Sequence, residues 1–430
     1  MLIPQNWLLC SLFWLVALSS LDLLQCTTES SLKYEATWDL VQEDHEVIDD
    51  GTTVESPPPD SRIPIIDVGP LYFPSFPNFY MKNTVDQIGK ACRDVGFFYI
   101  TGVEGADQDV IDYQTLVAEA RWFFNQSTEY KRKIDMSLGG SAWRGYFGVG
   151  DELTSGIPDQ KEGLYFGTES NDTSKPLHGL NLYPTKPYFS ETDSNGYPLE
   201  IFHILLKNSV PRYMEAMKNI AKRLLQAMAL SLDLDPNVAL NFTEPTELFR
   251  IFSYPPHNSS FGSESMGVGE HTDYGFLTIL AQDMQGGLQV RDATTHEWIN
   301  VQPWHNHYVV NLGDALEHYT GGLYRATPHR VVQRVGATYP RLSMPYFFDP
   351  SFDEVMTNIV PQLSTSLQEA IKVRKEQDEY LNRRWDKADP SSFQGIYGEY
   401  LLGKISKVFP NLFDKFVVGK DGDKQSNDEL

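Results

Sequence analysis

The chain has 430 residues, 41% hydrophobic and 22% charged, a globular composition with enough apolar mass for one large domain or two ordinary ones. Its 58 acidic against 35 basic residues leave a net charge of -23, which disfavours nucleic acid and anionic membrane surfaces as partners, since both repel a negative surface. An anionic small molecule would need a local basic pocket, and three cysteines, Cys10, Cys26 and Cys92, do not make a disulfide framework.

Residues 7–19 form an apolar run of signal-peptide length, short of the ~20 residues that cross a bilayer. Residues 1–27 are therefore expected to be a signal peptide, although no Lys or Arg precedes the run; an uncleaved anchor is the alternative, and membrane association is expected only in that case. Residues 28–62 are polar and acidic, end in ESPPPDSR and read as a linker. Order is expected from Ile63, with IPIID as a strand. Val85, Ile88, Ala91, Cys92 and Val95 recur at helical spacing over 82–95, which makes Cys92 a core residue, and FFYITGV follows as a buried strand. A second helix is expected over 107–134, with Val110, Tyr113, Leu116, Val117, Ala120 and Phe124 along one side. The longest helical stretch is expected over 198–232, with a break or kink at Pro211.

From Glu247 the pattern changes to short runs rich in Val, Ile, Tyr and Phe, punctuated by PP, QGG, DATTHE and TGG, as an antiparallel sheet requires. A jelly-roll barrel is inferred for this part. After Asp353 helix returns: 367–385 is strongly charged and expected to be an exposed arm, and 397–409 reads as a further helix. The chain thus divides into a mixed helical region (63–235), a jelly-roll core (245–352), a C-terminal helical region (353–420) and a polar tail (421–430). The tail ends Asn427-Asp428-Glu429-Leu430, similar to the Lys-Asp-Glu-Leu retrieval signal. With the leader, it points to the lumen of the endoplasmic reticulum, secretion being the alternative. Sequons at Asn125, Asn171, Asn241 and Asn258 suit a glycoprotein in that pathway.

The chemistry concentrates in HTDYGFLTIL, residues 271–280, which reads as a strand. Side chains alternate along a strand, so His271 and Asp273 would share a face. A ferrous ion takes two imidazoles and one carboxylate on one side of an octahedron, leaving the other positions open. His329, in TPHRVV, can supply the second imidazole if the strands between fold back. Arg341 and Ser343 are again two apart and would form a fork for a carboxylate. His305 and His307 also have strand spacing but lack a matching carboxylate, and His257 and His296 lie in loops, so these four are expected to be structural or superficial; His318 could lie near the site, yet nothing in its spacing requires ligation.

The order His-x-Asp, His-Arg-Val, Arg-x-Ser resembles that of the isopenicillin-N-synthase-like branch of the Fe(II)/2-oxoglutarate-dependent dioxygenases. The resemblance covers most of residues 63–409 and includes IPIIDVG, DVGFFYITGV, RGYFGVGDE, PDQKEGLYFG, FRIFSYPP, GGLQV, VVNLGDALEHYTGG and RLSMPYFFDP. It implies an α+β, mainly β fold: a double-stranded β-helix (jelly roll) flanked by N-terminal and C-terminal helices. It implies Fe(II) on His271, Asp273 and His329, and 2-oxoglutarate with its far carboxylate on Arg341, assisted by Ser343 and Tyr254. The family often has Asn-x-Tyr where this chain has Phe252-Ser253-Tyr254, so only the tyrosine carries over. Ascorbate as reductant, dioxygen, a small organic substrate and a monomeric state are the remaining expectations, as is hydroxylation, desaturation or ring closure with release of succinate and carbon dioxide. Arg144, Tyr146, Tyr165, Phe166, Phe347 and Phe348 are candidates for lining the substrate pocket by the same resemblance. The alternatives are an Fe(II) oxidase of the same fold that uses no 2-oxoglutarate, and a binding protein without catalysis.

Overall fold

The computed structural model describes residues 62–72, 78–103, 113–154, 156–192, 198–241, 244–256, 266–333, 337–377 and 394–410. The leader, the linker up to Ser61, His257, the sequon at Asn258 and the retrieval-like tail lie outside the described residues.

Strand β1 (Ile65–Asp67) runs parallel to β2 (Phe97–Thr101), and helix α1 (Asn78–Asp94) connects them. The helix buries Val85, Ile88, Ala91 and Cys92, the apolar stripe expected from their spacing. It ends at Gly96, whose φ of 73° is open to glycine at little cost and whose amide returns to the Ala91 carbonyl at 2.9 Å. The helix expected over 107–134 is two pieces where it is described, α2 (Tyr113–Phe124) and α3 (Thr128–Lys131). Ser127 divides them, because its hydroxyl caps the second piece by accepting the Tyr130 amide at 3.2 Å.

Short strands β3 (Gly145–Phe147), β4 (Leu153–Thr154), β5 (Ile157–Pro158), β6 (Glu162–Gly167), β7 (Thr185–Thr192) and β8 (Pro198–Ile204) follow. The last corrects a second expectation: 198–204 is not helical but pairs antiparallel with β7. Helix α4 begins only at Ser209 and runs to Leu230. Pro211 does not break it, because it occupies the first turn, where a backbone N–H has no intrahelical acceptor to lose.

The core is a double-stranded β-helix. An eight-stranded sheet has the order β1-β2-β14-β11-β16-β9-β6-β3, and a four-stranded sheet the order β10-β15-β12-β13. The remaining strands are β9 (Thr246–Tyr254), β10 (Met266–His271), β11 (Leu277–Gln282), β12 (Leu288–Arg291), β13 (Trp298–Asn300), β14 (Tyr308–Leu312), β15 (His329–Val332) and β16 (Arg341–Asp349). Alternation decides what each face does. Phe249 and Ile251 of β9 and Leu342, Met344, Tyr346 and Phe348 of β16 are buried on one face. Helix α4 packs on β16 and β11 there. The opposite face, carrying Leu248, Arg250, Phe252 and Tyr254 of β9 and Arg341, Ser343, Pro345 and Phe347 of β16, lines a cavity to which β10, β12 and β15 of the smaller sheet also contribute.

The segment 271–280 is not a single strand. β10 ends at His271 in the smaller sheet, 272–276 turns, and β11 starts at Leu277 in the larger one. The short helix α5 (Asp314–Tyr319) pins this crossing: the Asp314 amide donates to the Asp273 carbonyl at 2.8 Å and the Gly313 amide to Phe276 at 3.0 Å. Helices α6 (Thr365–Gln377) and α7 (Tyr397–Val408) close the C-terminal side. The described part of the expected exposed arm is docked: Ile371 is buried, and Arg374 donates to the carbonyls of Arg93 at 2.8 Å, Gly322 at 3.2 Å and Leu323. Among the described residues no helix is long and apolar enough to cross a membrane.

A methyl group on Gly313 would lie 2.3 Å from the Gly275 carbonyl oxygen, backbone against backbone. Gly313→Ala is expected to lower unfolding free energy by about 1–3 kcal/mol, the usual range for overpacking. Urea denaturation with an unchanged m-value checks this, and an unaltered midpoint would contradict the rigidity assigned to the crossing.

Candidate functional site

His271, Asp273 and His329 come together from the end of β10, the turn after it and the start of β15, with their ligand atoms within 4.8 Å of one another. The register of β10 and β15 sets His271 directly opposite His329. Each imidazole is fixed in the same way: Nδ1 of His271 faces the Gly269 carbonyl at 2.8 Å and Nδ1 of His329 faces Thr327 at 3.1 Å. A carbonyl can only accept, so Nδ1 carries the proton in both rings and Nε2 is left with its lone pair. Both lone pairs face one carboxylate oxygen, Asp273 Oδ1, at 3.9 Å from His271 and 3.7 Å from His329. The other oxygen is occupied: Thr278 donates its hydroxyl to Oδ2, and Asn311 its amide at 2.6 Å.

The protonation states suit metal binding. Burial, with the facing His329 second, pushes His271 down to about 4, so its ring is neutral near pH 7. Burial alone would raise the Asp273 carboxyl, but the two imidazoles and the hydrogen bonds from Asn311 and Thr278 outweigh it and hold it below its ordinary value. Two imidazole nitrogens and one carboxylate on a common side, each oriented by a second partner, form a facial donor set that fits a ferrous ion.

Arg341 stands on β16 opposite Tyr254 of β9, with its guanidinium 4.9 Å from the centre of the Tyr254 ring. One Nη donates to Gln282 Oε1 at 3.0 Å, while Nε and the other Nη are buried with no hydrogen-bond partner. Unsatisfied donors on a buried guanidinium, one on either side of the partly engaged Nη, are a place for a carboxylate. Ser343, two residues on, hydrogen-bonds the Tyr254 hydroxyl. All three residues line, with the His-Asp-His group, a cavity of about 950 Å³ including the space at its mouth. The fork and the donor set together fit 2-oxoglutarate, whose two ends need a metal and a cation. The sequence expectations for all six residues thus meet in one cavity, although Asp273 reaches it from a turn.

Several residues of the wall had no signal of their own. Lys161 is buried between Asp159 and Glu152, 2.9 Å from the latter, and Tyr165 donates its hydroxyl to Glu152 at 2.8 Å. Arg250 lies between the rings of Tyr165 and Phe347, 4.2 and 4.8 Å from their centres. Asn311, Thr278, Tyr274 and Asp349 complete the polar wall, and Leu401 and Val408 of α7 its rim. A charged residue at an inward position of an otherwise apolar strand, as in FRIFSY, was the available hint for Arg250. Of the pocket candidates, Phe347 lines the cavity, and Arg144, Tyr165 and Phe166 line a smaller neighbour of about 440 Å³ beside it. Tyr146 and Phe348 line neither: Tyr146 donates to Glu162 at 2.7 Å, and Phe348 points to the helix-covered face. The other described histidines stay apart from the ligand group: His305 and His296 are exposed, His307 turns to the His305 carbonyl, and His318 faces Met356.

Comparison with known proteins agrees with this geometry. The 2OG-Fe(II) oxygenase superfamily profile matches residues 245–350, and the profile described as non-haem dioxygenase in morphine synthesis, N-terminal, matches 63–186. A probable iron/ascorbate oxidoreductase of Dictyostelium discoideum is 41% identical over 373 residues, covering 82% of this chain and 96% of that protein. A 1-aminocyclopropane-1-carboxylate oxidase of Dictyostelium mucoroides is 32% identical over 84% of this chain and 98% of its own. Among solved structures, a putative 2OG-Fe(II) oxygenase family protein from Caulobacter crescentus shares the fold with a TM-score of 0.58, at 21% identity over 80% of this chain and 98% of that one.

Asn311→Ala would free Asp273 Oδ2 to rotate. It is expected to weaken Fe(II) or Mn(II) affinity about 10–100-fold, the usual effect of losing such a supporting hydrogen bond, and Asp273→Ala to abolish retention. Titration calorimetry on the two variants tests this, and wild-type affinity in Asp273→Ala would refute the ligand set.

Proposed function

Because this chain belongs to the 2OG-Fe(II) oxygenase superfamily and is a 2-oxoglutarate/Fe(II)-dependent dioxygenase, we propose that it oxidises a small organic substrate, by hydroxylation, desaturation or ring closure, at Fe(II) held by His271, Asp273 and His329. The observation that carries the residue assignment is the pairing of a pre-oriented His-Asp-His face with a buried guanidinium whose donors are unsatisfied, in the same cavity. Bound together, Fe(II) and 2-oxoglutarate supply the oxidising power, consuming dioxygen and releasing succinate and carbon dioxide, with ascorbate as reductant.

The protein's part is positioning. Arg341 takes the far carboxylate of 2-oxoglutarate bidentately, and its stacking on Tyr254 restricts the fork to one plane. The Tyr254 and Ser343 hydroxyls lie beside each other on the same cavity wall and can both donate to the same carboxylate. With one end of the cosubstrate fixed there, the other is directed to the His-Asp-His face, and the Nδ1–H bonds to Gly269 and Thr327 keep both Nε2 lone pairs aimed inward. Leu288, Val268 and Val331 form an apolar wall that keeps bulk water from the chelated end.

Arg341→Ala removes a buried charge partner, a loss of about 2–5 kcal/mol in binding. It is expected to raise the KM for 2-oxoglutarate by about 30-fold or more, with only partial rescue by Arg341→Lys, which lacks the fork. Anaerobic reconstitution with Fe(II) and 2-oxoglutarate should give the weak visible charge-transfer band of the chelate; a band of wild-type strength in Arg341→Ala would refute the cosubstrate assignment.

The proposed compartment is the lumen of the endoplasmic reticulum, on the apolar segment 7–19 and the Asn-Asp-Glu-Leu tail. Asn125, Asn171 and Asn241 are exposed, as glycan acceptors must be. Expression in a secretory eukaryotic host should therefore give a species whose mass falls on endoglycosidase H treatment, and an unglycosylated cytosolic product would count against this location.

A further inference from the structure

The cavity holds a second arginine that the cosubstrate does not use. Arg250 lies on β9 four residues before Tyr254, so it shares the inward face and stands about 13 Å along the strand from the Arg341 fork at ~3.3 Å per residue. Its Nε is buried with no hydrogen-bond partner. The guanidinium makes no close ion pair with any described residue, although the charges of Glu152 and Asp273 act on it from further off, and it is flanked by the rings of Tyr165 and Phe347. Arg144 in the same region shares the unpartnered Nε but differs at its Nη atoms, which donate to the Leu177 carbonyl at 2.8 Å and to Phe166 at 3.5 Å. The nearby carboxylates act on Arg250 through their charge but make no contact-distance pair with it. Glu152 is engaged by Tyr165 and Lys161, and Asp159 by Lys161 and Thr154.

A guanidinium clamped between two rings keeps its stacking faces covered and its donor edge free, which is the geometry for a planar anion in the ring-to-ring gap. 2-Oxoglutarate cannot supply that anion, because one of its carboxylates goes to Arg341 and the other to the metal. Arg250 lines the same cavity as Asp273 and senses its charge. An anion on Arg250 therefore belongs to a second molecule in the cavity, beside the cosubstrate.

Resting on the cosubstrate reading above, we propose that the prime substrate of this enzyme carries a carboxylate, bound bidentately by Arg250 between Tyr165 and Phe347, which directs the remainder of the molecule toward the His271-Asp273-His329 face. Arg250 is a specificity-determining residue here: it decides which small molecules are held in reach of the metal and takes no part in the oxidation.

The test uses the full Fe(II)- and 2-oxoglutarate-loaded enzyme and measures succinate release above the substrate-free rate with phenylacetate, L-proline and L-arginine, each against its primary amide. At least one acid is expected to stimulate release, with its amide weaker by about tenfold or more, as expected for loss of a charge-assisted fork. Arg250→Gln should raise the KM for that acid by a similar factor and erase the difference from the amide, and Arg250→Lys should recover it in part. The anaerobic charge-transfer band shows that each variant is folded with its cosubstrate site intact. Equal stimulation by acid and amide, an unchanged acid KM in Arg250→Gln, or no stimulation by any acid while the band forms would each overturn the proposal. Absence of the band in the wild-type enzyme would instead overturn the cosubstrate reading beneath it.

Discussion

The two oxygens of Asp273 are not equivalent, and most of this structure serves to keep them so. Oδ2 is held by Asn311 of β14 and Thr278 of β11, both in the larger sheet, while Oδ1 faces two imidazoles carried by the smaller one. The carboxylate therefore joins the two sheets. Its own backbone lies in the turn that crosses between them, and that turn is held by the first amides of α5. Displacing the crossing would separate the acid from the histidines before it disrupted either sheet, so packing at Gly313 and geometry at the donor set are one constraint.

Burying charge in such a cavity is costly unless each group has a partner, and the wall shows two ways of meeting that cost. Lys161 is surrounded by acids and held protonated against its burial, with Tyr165 and Thr154 completing the hydrogen bonds of those acids. This cluster is self-contained and gives the wall a fixed shape. The two inward arginines are the opposite case. Each is braced by aromatic rings rather than by carboxylates, which leaves donor edges unsatisfied and aimed inward. A polar group that would otherwise be a liability is tolerable where binding completes it, and such groups are how a cavity selects charge.

Much of this site could be read directly from the residues. His271, Asp273, His329, Arg341 and Ser343 were candidates from residue type, spacing and order, and Tyr254 from the family resemblance alone; all six line one cavity. Arg341 and Ser343 share a face because strands alternate with period two, as expected. The pair His271 and Asp273 converges for a different reason from the one spacing suggests: a strand end followed by a turn. Helices with an uninterrupted apolar stripe, such as α1, were legible for the same reason that strands were. Over 107–134 and 198–204 helical periodicity misled, because a capping serine and a strand partner at β7 compete with propensity and neither leaves a mark in the period.

What the sequence determined by itself was chemistry and local rhythm: the candidate ligand types, the candidate carboxylate fork, the change from helical to strand-like patterning near Glu247, and the acidic balance of the chain. What only the tertiary structure decided was selection among polar residues. Arg144 and Arg250 are alike in sequence, each a lone arginine in an aromatic-rich run, and both leave Nε unpartnered, yet the Nη atoms of Arg144 go to backbone carbonyls while Arg250 lines the cavity of the His-Asp-His group. That difference depends on which acceptors other strands bring within hydrogen-bonding reach, and such distances arise only when residues far apart in the chain are packed together.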